Sequence, residues 1–306
     1  MADNKFTFVQ LEESASEHIA SPQYSYWKSV FKQFFGSKVA IAMLVIAAAV
    51  CLIAFIQPLF SDYDPSKMPF INDQSRRFLR PSLQFLFGTD DIGNSLFDAV
   101  WAGTRTSLFI SITATLITAV LGVIVGMIWG YSKNLDKMMI QIYNVVANVP
   151  FTLIVMVLMY ALGQGIWQLI FALSVTSWLN TAYFMRVQVM IIRDREYNLA
   201  SRCLGTPLSR ILKHNVLPYL ISVIVTQVSR DIPNFISYEV FLSFIGIGLG
   251  ATDPSLGGMI QKYSAYMMPA PYLFWIPVFI SALISVSLYV VGQKLADASD
   301  PRTHML

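Results

Sequence analysis

Charge is what this sequence is short of. Asp, Glu, Lys and Arg make up 13% of its 306 residues, about half the share found in an ordinary soluble domain. That is too little to cover a water-facing surface. Cysteine is rarer: Cys51 lies in an apolar run and Cys203 in a basic stretch, a pair with neither a disulfide framework nor a metal-ligand spacing. Histidine is equally thin. His18, His214 and His304 are scattered, which argues against a histidine-built metal centre. A Gly-x-x-x-x-Gly-Lys-Ser/Thr loop is missing as well. The nearest stretch, Gly88-Thr89-Asp90-Asp91-Ile92-Gly93, continues into Asn94 rather than Lys, so the chain has no cradle of its own for ATP phosphates. A net charge of +3 does not mark a nucleic-acid binder. The first 25 residues hold no apolar signal-peptide core, and the run after Lys38 is too long for a cleaved one.

What the chain does have is long apolar runs, within 55% hydrophobic residues overall. A bilayer core needs roughly 20 apolar residues per helix. Six stretches supply them: 39–60, 107–131, 138–162, 166–190, 216–244 and 272–291. Backbone groups in lipid must be satisfied within their own segment, so these spans are helices. The expected fold is an all-α membrane protein of six transmembrane helices. With both termini cytosolic, fourteen Lys and Arg fall inside and six outside, as the positive-inside rule requires. Residues 1–37 form a cytosolic tail. Its end places Tyr24, Trp27, Phe31, Phe34 and Phe35 at helical spacing beside Lys28 and Lys32. That pattern reads either as an interfacial amphipathic helix or as the frayed start of the first span. Residues 38–306 form the transmembrane domain, whose outer loop 61–106 is rich in turn-forming Asp and Gly and reads as a folded cap.

The cytosolic loop 192–215 is the most informative stretch. Asp194 is suited to cap a short helix running to Leu204. Gly205 then permits a turn at positive φ, and Thr206-Pro207 suit the N-cap and first position of a second helix. Two short helices joined at a glycine make a protruding knob, with Leu199, Cys203 and Leu204 as an apolar edge flanked by Arg. The residues alone leave two readings: a docking element for a partner, or a loop packed on itself.

This loop resembles the EAA loop of bacterial ABC-importer permeases, and within them the peptide/nickel family in its C-type form. The matching residues are Glu196-Tyr197, then Leu199-Ala200-Ser201-Arg202-Cys203-Leu204-Gly205, then His214 to Pro218. The chain departs from the pattern where Leu199 replaces the Glu that names the motif and Ser201 replaces the second Ala, so any contact of that Glu does not carry over. Further matches follow in order along the chain: Tyr63-Asp64-Pro65, Gly88 to Gly93, Glu239 to Gly248, Asp253-Pro254-Ser255-Leu256-Gly257, Leu295-Ala296-Asp297 and Asp300-Pro301-Arg302. The resemblance implies a type I ABC-importer permease fold in a bacterial cytoplasmic membrane. It implies a second homologous permease, two ATP-binding subunits that use ATP and Mg, an external solute-binding protein, and a small peptide or, in some branches, nickel as cargo. No cofactor is expected on this chain, and no catalytic residue. ATPase coupling is expected of Glu196, Leu199, Ala200, Ser201, Arg202, Leu204 and Gly205.

The fifth span adds Arg230 and Asp231 about 14 residues from its cytosolic end, with Pro233 just beyond and Glu239 further on. Ionisable residues at that depth face a cavity or another charge. As chain neighbours the two do not face each other. They line a cargo path, with Pro233 and Glu239, or they form a structural ion pair with the partner permease. Pro233 is expected to bend or break its helix, and Pro150 to kink the third span. No His lies in any span and Asp231 has no second intramembrane Asp, which disfavours a membrane enzyme. A lone secondary transporter usually shows internal repeats, and none is found. Peptide is favoured over nickel because the spans offer Cys51 and no imidazole. Nickel, another small solute and a stand-alone carrier stay as alternatives.

Overall fold

The computed structural model describes residues 25–299, apart from 65–66, 68–69, 71–72 and 251. His18, Tyr24, Pro65, His304 and the Asp300-Pro301-Arg302 ending lie outside the described residues. The helices, in chain order, are α1 (Tyr26–Gly36), α2 (Lys38–Phe60), α3 (Leu96–Tyr131), α4 (Lys133–Ala147), α5 (Phe151–Leu162), α6 (Ile166–Arg193), α7 (Glu196–Cys203), α8 (Leu208–Ile211), α9 (Leu217–Phe244), α10 (Leu256–Tyr263) and α11 (Pro271–Ser299). Among the described residues no strand forms beyond one isolated bridge, Thr89 to Ser95.

Four helical stretches are long and apolar enough to cross a bilayer: Lys38–Phe60, Leu96–Tyr131, Leu208–Phe244 and Pro271–Ser299. A bent pair, α4 with α5, makes a fifth if counted as one span. At 28 residues α6 has the length, but Gln168, Asn180 and Arg186 dilute its apolar character. What α6 loses in contact with lipid it gains against α3. Gly122, Gly126 and Gly130, one turn apart on α3, let the two backbones approach. A Cβ built on them would lie 2.6 Å from the Thr181 side chain, 2.5 Å from the Ala182 carbonyl and 2.6 Å from the Arg186 carbonyl, respectively. Small residues at such spacing are how helices pack closely where no hydrophobic force distinguishes protein from lipid. At the C-terminal ends of this pair, Arg186 pairs with Asp136, which also accepts from Trp129 Nε1 at 2.7 Å.

One expectation about the spans is met and two need correction. Pro150 kinks the third span as expected: α4 and α5 meet at 79°, with Pro150, which cannot donate to the ladder, at the N-cap of α5. Conversely, Pro233 does not break the fifth span, which runs unbroken as α9. The carbonyl that a proline orphans, four residues back on Ser229, lies against Gly292 of α11. A Cβ there would come within 2.8 Å of it. The backbone of α11 thus passes close to α9 at the carbonyl that lacks its own bond. The second span starts at Leu96, not near 107, since Ser95 caps it by accepting from Asp98 N at 3.4 Å. The outer loop is correspondingly shorter.

That loop is stitched to α10 and α11 through Asp90. Its carboxylate accepts from the backbone of Asn94 at 2.8 Å and Ile92 at 3.1 Å, and from Tyr263 Oη at 3.2 Å. Lys262 approaches both Asp90, at 3.5 Å, and Asp91, at 3.0 Å. Tyr272 Oη donates to Thr89 O at 2.9 Å. Burial, then the charge of Asp90, pushes the Tyr63 phenol up to about 12 and also raises Tyr263 well above the usual phenol range, so both remain neutral hydrogen-bonding groups.

Candidate functional site

The knob is built on α7 and α8. Helix α7 ends in a two-bond glycine cap: Gly205 N donates to Arg202 O and Thr206 N to Ser201 O, both at 3.0 Å. Gly205 has φ +73°, a left-handed conformation only glycine adopts freely. The caps differ from expectation. Arg195, not Asp194, precedes α7, and Pro207, not Thr206, precedes α8, neither with a side-chain cap bond. Asp194 is occupied by Arg193 and Arg202, at 3.2 and 3.5 Å. The Arg193 guanidinium beside it holds its carboxyl below the usual carboxylate range, so the contact is present above the unfolded value of about 4 and lost only as pH falls further.

Outward, the knob presents Leu204, 85% exposed, together with exposed Tyr197, Leu199 and Leu208. Glu196, Ala200, Arg202 and Gly205 are exposed, and Ser201 is partly so. Inward, the knob is anchored. Asn198 is fully buried; its Nδ2 donates to Ile192 O at 2.9 Å and its Oδ1 accepts from Asn215 at 3.1 Å. Asn215 also donates to Ser201 Oγ at 3.2 Å. Buried Arg193 donates from Nη1 to Gly130 O at 3.0 Å, and Arg202 lies 5.5 Å over the Tyr131 ring. A π-helical turn, Leu212–Val216, joins the knob to α9 and packs Ile211, Leu212 and Val216 with Val189. Coupled-looking residues were found by motif; Asn198 and Asn215, which hold them, were not, because single amides in a polar loop leave no periodic signal.

The other candidates do not share one wall. Asp231 faces a cavity of about 170 Å³ where α6 meets α9, lined also by Ser177, Asn180, Thr181, Gln227 and Asn234. Next to it, at the α4–α5 elbow, lies a second cavity of about 270 Å³ that shares Phe151 and Asn180 with the first. Asp231 Oδ1 accepts from Gln227 Nε2 at 3.0 Å. Arg230 is exposed and forms no ion pair among the described residues. Pro233 is buried. Glu239 is fully enclosed among Ser107, Ser243 and Ser255, with Ser243 Oγ donating to it at 2.9 Å. It sits at the junction of α3, α9 and α10, away from Asp231's surroundings. No cluster of metal-ligating side chains occurs among the described residues.

Residues 122–305 match the model of the binding-protein-dependent transport system inner membrane component family. The chain belongs to that family. Residues 25–81 of this permease match the N-terminal transmembrane domain of oligopeptide transport permease C, in agreement with the C-type resemblance. It is 54% identical over 300 residues to the oligopeptide transport system permease protein AmiD of Streptococcus pneumoniae, covering 98% of this chain and 97% of that one. It is 32% identical to the oligopeptide permease protein OppC of Bacillus subtilis, over 98% of this chain and 97% of the relative. To the dipeptide permease protein DppC of the same organism it is 33% identical, over 98% and 93%. As a permease of this family it is a multi-pass integral membrane protein of the inner membrane, and its long apolar helices fit that place.

Proposed function

We propose that the permease is the C-type subunit of an ATP-driven peptide importer. The supporting observation is the match over nearly its whole length to oligopeptide and dipeptide permease proteins. Six membrane crossings, counting α6 and the bent α4–α5 pair, would put both termini on one side, and the excess of Lys and Arg makes that side the cytosol. A second, homologous permease completes the path, since a lone bundle leaves little room for a peptide. Two separate ATP-binding subunits hydrolyse ATP with Mg, and the knob docks into one of them. The edge of Leu199 and Leu204, with Glu196, Ala200, Ser201, Arg202 and Gly205 around it, is the contact. Asp231 faces the cargo path and Arg230 the partner permease, while Pro233 and Glu239 support α9. Glu239, on this reading, fixes α10 to α3 and α9. The segment 252–266, with the outer loop, receives the solute-binding protein. Aromatic residues of α1 rest at the lipid interface, with Lys28 and Lys32 near headgroups.

Reconstitution tests this. Purified chain, second permease, ATPases and solute-binding protein in liposomes are expected to take up labelled peptide only when all are present. Ala265→Arg, at an exposed position of that segment, is expected to lower uptake and leave basal ATP hydrolysis. Nickel uptake without peptide uptake, or peptide uptake by this chain alone, refutes the proposal.

A further inference from the structure

We propose that Asp231 receives the N-terminal ammonium of a peptide in transit, making it a substrate-contacting residue of the permease; this rests on the peptide-importer reading above. Asp231 lies at the middle of the 28-residue α9, half-buried. A carboxylate at that depth requires a partner. Among the described residues it receives one bond, from Gln227 to Oδ1. No Lys, Arg or His among the described residues reaches it at ion-pair distance. On this proposal, the cation that the carboxylate lacks at ion-pair distance among the described residues is the cargo's.

The surroundings specify what kind of cation. Ser177, Asn180, Thr181, Gln227 and Asn234 line the cavity with hydroxyls and side-chain amides, which both donate and accept. Such a lining matches the main-chain amides of a peptide without regard to its side chains. Phe151 and Tyr238, also on the wall, have ring centroids 4.7 Å apart, and aromatic faces attract ammonium groups. The cavity of about 170 Å³ is smaller than the ~300 Å³ at which drug-sized ligands begin to be enclosed. It holds the leading residue of a peptide, with the adjoining 270 Å³ space at the elbow open to the next. Gln227 keeps Oδ1 in place and leaves Oδ2 for the incoming group.

The rival occupant is a Lys or Arg of the second permease, and charge chemistry separates the two. In the complete reconstituted importer, a tripeptide and its N-acetylated form, each preloaded on the solute-binding protein, are compared in wild type, Asp231→Asn and Asp231→Glu. Asp231→Asn is expected to slow uptake of the free-amine tripeptide about tenfold, the effect of one charged hydrogen bond. The acetylated form should stay within about twofold, and Asp231→Glu should recover most of the rate. Equal slowing of both peptides assigns Asp231 to a contact within the assembly and overturns the proposal. Unchanged uptake of both also overturns it. If wild type imports neither peptide, the importer reading falls, and this inference with it.

Discussion

Gly205→Arg is expected to abolish coupled uptake while leaving the protein in the membrane. Two effects of the change are separable here. The first is strain: at φ +73° a side chain costs about 1–2 kcal/mol, and Gly205→Ala carries that cost alone. The second is obstruction. Nothing among the described residues lies within 4 Å of a Cβ built on Gly205, so a side chain starts in open space beside Leu204, on the face proposed for an ATPase subunit. Blocking a central anchor of an interface costs about 2 kcal/mol or more, a loss of about 30-fold in affinity. Membrane abundance, copurification of the ATPase and uptake in liposomes distinguish the two. Normal uptake by well-expressed Gly205→Arg contradicts the docking role, and equal damage from Gly205→Ala assigns the effect to strain.

Gly126→Leu is the change expected to do most harm to the fold. A Cβ there lies 2.5 Å from Ala182 O and 2.6 Å from Met185 Cβ, so a larger side chain has to push two helices apart. Overpacking ordinarily costs about 1–3 kcal/mol, and here backbone rather than a flexible side chain must yield. Loss of several kcal/mol, seen as membrane levels at or below about a tenth of wild type, is expected. Leu121→Phe is the control, because Leu121 is exposed on the same helix, and it should accumulate normally. If Gly126→Leu accumulates like this control, the two backbones are not in the contact described.

The difference between these sites also explains what could be read in advance. Apolar runs disclosed α2 nearly to its ends, Lys38–Phe60, and the start of α11, but α11 continues past 291 to Ser299 through Gln293, Lys294 and Asp297, where the apolar run stops. The first turns of α3 were missed. Asp98, Thr104 and Arg105 look like loop residues, and only packing of Gly103 against Ser255 and Met259 shows why a helix persists there. The two span prolines could not be told apart from sequence: Pro233 lies inside α9, where α11 packs close at Ser229, whereas Pro150 heads α5. At the knob, glycine and spacing were legible because backbone conformation leaves a residue signature. Its anchors were not, since Asn198, Arg193 and Asn215 act across distances that no local pattern encodes. The cavity behind Asp231 was legible as one charge in an apolar run, but not as a place with walls.

The glycine-packed pair has a mechanical corollary. Helix α3, 36 residues long, spans about 54 Å at 1.5 Å per residue. Its C-terminal end is clamped to the knob through Arg193 and Gly130, and its N-terminal end begins beside Asp90. Two helices in backbone contact resist bending far better than either alone, so the pair behaves as a stiff rod that crosses the membrane. Force applied at one end arrives at the other as rotation or translation, with little lost to flexure between. Compliance then belongs to the parts that the rod does not include, above all the 79° elbow between α4 and α5.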